Sequence, residues 1–291
     1  MAKPSIFVLG AQKCGTTTIA NLLAQQPEIF VPSVKETYFF CDDEQYSKGV
    51  DWYQNEYFES KAAQSKKLSC DATPFYFCSQ SAIDRLASYC GDEARFVVVL
   101  RDPVNRAYSA FWHQKRLGNE PLNFEQALDA EDERVRLARL SGERWWRHAY
   151  TGVGRYGEHL EFAFSRLGRG RFLVLTGDSL GHVDRLQSRL RQFLGLPTTS
   201  LEAEPDVANK ATMPKSRVIQ RLVTRPNALK RLAQLILPRE LRSSIGRKLL
   251  SANSKEIAYP SMNPETRARL EDLFRPDQRR LREMMVLFPN E

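Results

Sequence analysis

The stretch from Ser5 to Leu23, SIFVLGAQKCGTTTIANLL, constrains this chain more than any other. Ile6, Phe7, Val8 and Leu9 form a short apolar run of the kind a strand buried on both faces requires. Gly10-Ala11-Gln12-Lys13-Cys14-Gly15 follows as a loop, and Thr16-Thr17-Thr18 leads into Ile19, Leu22 and Leu23 at helical spacing. Strand, glycine loop and helix in that order bring unpaired backbone N–H groups and the positive end of a helix against an anion. Gly15 lets the backbone approach closely, Lys13 adds a full charge, and the threonines add hydroxyl donors. The stretch reads as a phosphate cradle; the plainer alternative is a strand-to-helix turn capped by a threonine.

The place of the lysine decides which phosphate. A Walker A loop carries lysine directly after its second glycine, whereas Lys13 stands two positions before Gly15, so the nucleotide-triphosphatase pattern fails. The order K-x-G-T-T at the end of a first strand resembles the phosphosulfate-binding loop of sulfotransferases, enzymes that use 3′-phosphoadenosine 5′-phosphosulfate (PAPS) and release 3′-phosphoadenosine 5′-phosphate (PAP). The resemblance implies that Lys13, Cys14, Gly15, Thr16, Thr17 and Thr18 bind the donor and that Lys13 also takes part in the chemistry.

A second motif follows in RFVVVLRDPVNRAYSAFWH. Phe96 to Leu100 is a continuous, β-branched apolar run of buried-strand type. Arg101 ends it, Asp102 can cap a helix, and Pro103 sits where a helix start favours proline. Arg101 thus stands at a strand's carboxyl end beside a helix N-terminus, a second anion site. Ser109 lies eight residues on, about 12 Å along a helix axis, so spacing alone does not join the two on one phosphate. The resemblance does: sulfotransferases hold the 3′-phosphate of PAPS with an Arg followed eight residues later by a Ser, with R-[DN]-P between. Arg101 and Ser109 match in identity and spacing.

Lys35-Glu36-Thr37-Tyr38-Phe39-Phe40 is similar to the K-E-P-H-F-F segment of the heparan-sulfate branch, with Thr37 for proline and Tyr38 for histidine. The resemblance makes Glu36 the general base. His113, after the Arg101 helix, is a competing candidate, since some sulfotransferases use a histidine. Asp71-Ala72-Thr73-Pro74-Phe75-Tyr76 leaves a strand expected over Lys67–Cys70, which puts Thr73, Pro74 and Tyr76 at the ligand crevice. Lys255 opens KEIAYP, similar to a K-G-R-x-H-P loop that closes on the nucleotide in the same branch, and it is assigned to donor binding on that ground.

Elsewhere, Phe124 to Leu140 reads as one charged surface helix and Trp145, Trp146 and Tyr150 as aromatic surface. Arg171 to Leu175 reads as another parallel strand, and Glu265–Phe274 and Gln278–Met285 as two closing helices. The net charge of +8 is local: Lys210 to Lys248 holds eleven Lys or Arg and one acid, Glu240, which gives +10 and leaves about −2 for the rest. Apolar faces such as Val218, Ile219 and Leu222 suggest helices there. They could form a lid over an anionic acceptor, an interfacial contact with acidic lipid, or a solvated face.

These readings give one α/β domain over residues 1–291. A mainly parallel central sheet is flanked by helices, with a P-loop-like phosphosulfate-binding loop and a helical C-terminal portion containing the basic segment at about 209–252. The function implied is sulfuryl transfer from PAPS to a hydroxyl or amine of a small-molecule or glycan acceptor, possibly anionic. A phosphotransferase with a variant P-loop, using Asp71 for magnesium, and a non-catalytic binder of anionic polymers are the alternatives. Neither a metal nor a nucleic-acid partner is expected. Five cysteines without zinc-type spacing, no apolar run long enough for a membrane span and no room for a signal peptide point to a cytoplasmic protein with at most peripheral membrane contact.

Overall fold

A computed structural model describes residues 3–197, 212–214, 254–256 and 259–287. Its first strand, β1 (Ile6–Gly10), is buried at every position, as the apolar run requires. After α1 (Thr16–Ala24) the chain makes a two-residue strand, β2 (Ile29–Phe30). Three short helices, α2 (Asp43–Tyr46), α3 (Val50–Phe58) and α4 (Lys61–Gln64), precede β3 (Leu68–Asp71). Then come α5 (Gln80–Tyr89), β4 (Arg95–Leu100) and α6 (Pro103–Leu117). The sequence continues through α7 (Phe124–Asp129), α8 (Glu131–Leu140), α9 (Tyr156–Leu167), β5 (Phe172–Thr176) and α10 (Val183–Phe193).

Among the described residues β1 to β5 form one parallel sheet in the order β2-β3-β1-β4-β5. The chain builds one side of β1 first and then crosses to the other, so the connections leave β1 and β4 in opposite directions. Such a reversal opens a crevice at the strands' carboxyl ends, where ligands bind in open α/β sheets. Phe7 pairs with Phe96 and Phe96 with Phe172, which puts a row of large side chains in the middle of the core. At the mouth of the crevice Gly10 is required by space: a Cβ there would lie 2.6 Å from the Phe77 Cβ and 2.9 Å from the Pro74 carbonyl oxygen.

α6 starts as its sequence demands. Asp102 accepts a hydrogen bond from the Asn105 N–H at 2.7 Å, Pro103 is the first helical residue, and Gly118 closes the far end in the left-handed conformation.

Several expectations are corrected. Phe124–Leu140 is two helices with much buried surface: Phe124, Ala127, Leu128 and Ala138 are in the core. Glu131 is buried between them because its carboxylate accepts from the Thr151 and Gly152 N–H groups at 2.8 Å. Trp146 and Tyr150 are buried, not surface. The strand expected over Lys67–Cys70 is Leu68–Asp71, and it is the third, since β2 precedes it. The two closing helices are one, α11 (Pro264–Leu287), running through Pro276. An interior proline costs about 3 kcal/mol. Docking offsets it: Leu270 and Phe274 are buried, and the Asp277 carboxylate caps α9 by accepting from the Gly157 and Glu158 N–H groups at 3.0 and 2.9 Å. The helices expected in the basic segment fall outside the described residues, except that Thr212–Pro214 is extended (β6) and pairs antiparallel with β7 (Ser254–Glu256). Among the described residues no helix is long and apolar enough to cross a membrane.

At the end of β3 the Asp71 carboxylate is fully buried. Oδ2 accepts from the hydroxyls of Thr37 and Tyr53 at 2.7 Å and Tyr76 at 2.9 Å, and Oδ1 from Thr73 at 2.7 Å. Burial raises its pKa, and these hydroxyl donors hold the rise back. The cluster ties the Glu36–Phe40 turn to the sheet. Asp71→Ala strands several buried hydroxyls at once and is expected to cost about 3–5 kcal/mol. Urea unfolding measures this; a loss below about 1 kcal/mol would show that the cluster is not holding the turn.

Candidate active site

The loop after β1 is fixed from three sides. The Ala11 N–H donates to the Val99 carbonyl at 2.9 Å, the Cys14 N–H to Ala11 at 3.1 Å, and Arg101 Nη1 to the Lys13 carbonyl at 3.2 Å. Lys13 and Gly15 both have left-handed backbones, with φ of 67° and 101°. Gly15 then caps α1 without a side chain, so the first N–H groups of the helix, at Thr16 to Thr18, have no intrahelical acceptor. A Cβ on Gly15 would come within 2.2 Å of Leu180 Cδ1.

These groups border a cleft of about 720 Å³ at the carboxyl ends of β1 and β4. Lys13, Cys14, Gly15, Thr16, Thr17 and Thr18 line it, and so do Glu36, Pro74, Arg101, Ser109 and His113. The fold therefore brings the two motifs, some 90 residues apart, to one cavity. Cys14 differs from its neighbours in direction. Its side chain is buried, with Sγ 3.4 Å from the Tyr156 hydroxyl, and burial pushes the thiol pKa up. Cys14 anchors the loop through its side chain, so only its backbone is placed to meet an anion.

Cations crowd the cleft. Burial lowers the Lys13 pKa to about 8, with Arg116 and Arg101 adding to the effect and Glu36 opposing it. His113 is pushed down to about 3 by burial, Lys13 and Arg116. Arg144 and Arg147 also line the cleft. Arg144 bonds Asp42 at 3.0 Å and lies over the Tyr38 ring, 4.1 Å from its centre. The Tyr38 ring is in turn parallel to Trp146, with centroids 6.1 Å apart.

Glu36 is half-buried, with Lys35 Nζ donating to Oε1 at 3.1 Å and the Tyr38 hydroxyl donating to Oε2. Asp71 fixes it indirectly, since Thr37 is held by Asp71 and its N–H donates to Thr73 Oγ1 at 3.0 Å. Of the three residues expected at the crevice, Pro74 lines the cleft, joined by Phe75, whereas Thr73 and Tyr76 are fully buried as partners of Asp71. For the same reason Asp71 does not present itself to magnesium. No cluster suited to a metal occurs among the described residues. Lys255 lies in β7 opposite Met213, and its side chain is outside the described residues.

Sequence reasoning missed Arg116, Arg144, Arg147 and the bonding role of Tyr38. A signal existed for Arg116: it follows Ser109 by seven residues and His113 by three, on one face of α6. Arg144 and Arg147 arrive through a loop after α8, with no local pattern to mark them.

A family model, the sulfotransferase domain, matches residues 3–276. The chain belongs to that family. It is 30% identical over 148 residues to the membrane-associated sulfotransferase kil1 of Dictyostelium discoideum, 49% of this chain and 31% of that protein. It is 28% identical over 198 residues to heparan sulfate glucosamine 3-O-sulfotransferase 3B1 of Mus musculus, 66% of this chain and 46% of that one. This sulfotransferase domain thus matches less than half the length of either relative. A sulfotransferase from Alicyclobacillus acidocaldarius shares the fold, with a TM-score of 0.68 at 22% identity over 98% of this chain and 96% of that one. A mouse sulfotransferase crystallised with PAP gives a TM-score of 0.51 at 11% identity, covering 96% and 85%.

Gly15→Ala tests the cradle. A left-handed alanine costs about 1–2 kcal/mol before any shift of Leu180. A matching drop in unfolding free energy is expected; an unchanged one would mean that the loop relaxes freely.

Proposed function

We propose that the protein transfers a sulfuryl group from PAPS to an acceptor hydroxyl or amine. The observation that carries this is the meeting of the Lys13–Thr18 loop with Arg101 and Ser109 in one cationic cleft. Two separate anion sites with few acids to balance them suit a ligand with two separated phosphates. The residues fit such a donor: the left-handed Gly15 starts α1 with the Thr16–Thr18 N–H groups lacking an intrahelical acceptor, and burial, Arg116 and Arg101 destabilise the Lys13 charge until an anion arrives. The PAP in the mouse structure supports the same class of donor for this fold.

PAPS, when bound, supplies an activated sulfuryl group on its 5′-phosphate and a 3′-phosphate as a handle. Lys13, the backbone N–H groups of Gly15 to Thr18 and the threonine hydroxyls would hold the 5′-phosphosulfate and would stabilise the charge left on the 5′-phosphate by sulfuryl transfer. Arg101 and Ser109 would hold the 3′-phosphate, a role to which Lys255 is assigned by the family resemblance alone. Glu36 accepts the acceptor's proton as the new bond to sulfur forms. Lys35, whose Nζ donates to Glu36 Oε1 at 3.1 Å, orients the carboxylate.

The heparan-sulfate relatives support a carbohydrate acceptor, and the arginines at the cleft wall suit one that carries negative charge. A phosphotransferase is disfavoured because the lysine precedes Gly15 and Asp71 is saturated by hydroxyls. The five free cysteines favour a reducing compartment such as the cytoplasm.

Glu36→Gln should leave PAP affinity intact and slow transfer at least a hundredfold. Weaker nucleotide binding in that variant would make Glu36 structural. Lys13 gives a pH signature. With its free-state pKa near 8, the ammonium is present at pH 7 and mostly lost at pH 9. An anion favours the charged form, so binding above pH 8 must take up a proton. PAP affinity should fall about tenfold from pH 7 to pH 9, with proton uptake visible in calorimetry in buffers of different ionisation enthalpy. A flat profile would contradict this.

A further inference from the structure

His113 stands one helical turn beyond Ser109 on α6, lines the cleft and was the competing candidate for the base. The geometry around its ring argues for another role. Arg116 Nη2 lies 3.1 Å from His113 Nδ1. Guanidinium remains protonated at any working pH and can only donate. Nδ1 must therefore accept, which leaves the ring's proton on Nε2. The lone pair that a base would need at Nδ1 is occupied, and Nε2 has a proton already.

The charges around the ring act the same way. Burial opposes protonation of the ring most, and the positive charges of Lys13 and Arg116 add to it. A histidine held neutral, of fixed tautomer, beside Lys13 is a directed hydrogen-bond donor.

We propose that Arg116 is a positioning residue that holds His113 as its Nε2–H tautomer, and that His113 donates a hydrogen bond to the sulfuryl group of the bound donor. This rests on the sulfotransferase reading above. It divides the work of the cleft: Arg101 and Ser109 read the 3′-phosphate, Lys13 the bridging phosphate, and His113 the group that moves. Glu36 is left as the side chain able to accept a proton.

Two measurements test it. PAP lacks the sulfuryl group, so the ratio of PAPS to PAP affinity isolates contacts to that group. His113→Ala should lower PAPS affinity about tenfold or more, the range for a hydrogen bond to a charged acceptor, and leave PAP affinity unchanged. His113→Gln, whose amide N–H can stand in for Nε2–H but cannot act as a base, should recover most of the loss. Arg116→Leu should lower the same ratio, and Arg116→Lys, which still donates, should restore it. Equal weakening of PAPS and PAP, an unchanged ratio, or no recovery with glutamine would overturn the proposal.

Should wild-type protein bind neither nucleotide, the sulfotransferase reading fails instead. The tautomer is then judged by the second measurement, long-range 15N–1H correlation of the His113 ring at pH 7 in the free protein. Protonated Nε2 with unprotonated Nδ1 is expected, shifting towards a mixture in Arg116→Leu. The opposite tautomer, or an imidazolium, would overturn the role given to Arg116.

Discussion

Burial of β1 on both faces is the constraint on which the remaining structure depends. With β3 on one side and β4 on the other, the strand cannot shift register without moving the packed row of Phe7, Phe96 and Phe172. Its carboxyl end therefore delivers Gly10 to Gly15 to one place, and β4 delivers Arg101 beside it. Gly10 is pressed against Phe77 and Pro74, and the Ala11 N–H is bonded to β4, so the loop inherits the rigidity of the sheet. A cradle made of backbone groups needs that rigidity, because its donors cost no reorganisation only when they are already in place.

The second physical theme is unbalanced charge. Lys13, Arg101 and Arg116 converge with Glu36 as a close counter-charge, itself bonded to Lys35 and Tyr38. Placing like charges in a partly dry cleft destabilises the free protein and is relieved by a polyanion, so the same interactions that weaken the empty site strengthen the filled one. The buried Asp71 carboxylate has a separate part. Its hydroxyl partners hold Thr37, and through it Glu36, at a fixed position on the cleft wall.

The parts legible in the sequence were local. The runs at Ile6–Leu9 and Phe96–Leu100 announced buried strands by periodicity, and Asp102-Pro103 announced a helix start, because each signal lies within a few residues of its structural effect. The cavity joining Lys13 with Arg101 needed the family resemblance, since spacing alone left Arg101 and Ser109 apart. What stayed hidden depended on distant partners. Thr73 and Tyr76 face Asp71 and not the cleft because Tyr53 and Thr37 complete the cluster from other elements. Cys14 turns inward to meet Tyr156, 142 residues away. β2 is too short to show a period, and α11 runs through Pro276 only because its docking on α9 outweighs the lost bond.

The most direct measurement of the central claim is calorimetric titration of the protein with PAP, with ATP and magnesium alongside, repeated on Arg101→Ala. The account predicts binding of PAP, little or none of ATP–magnesium, and a large loss for PAP in the variant. Preference for ATP–magnesium, or PAP binding that ignores Arg101, would contradict it.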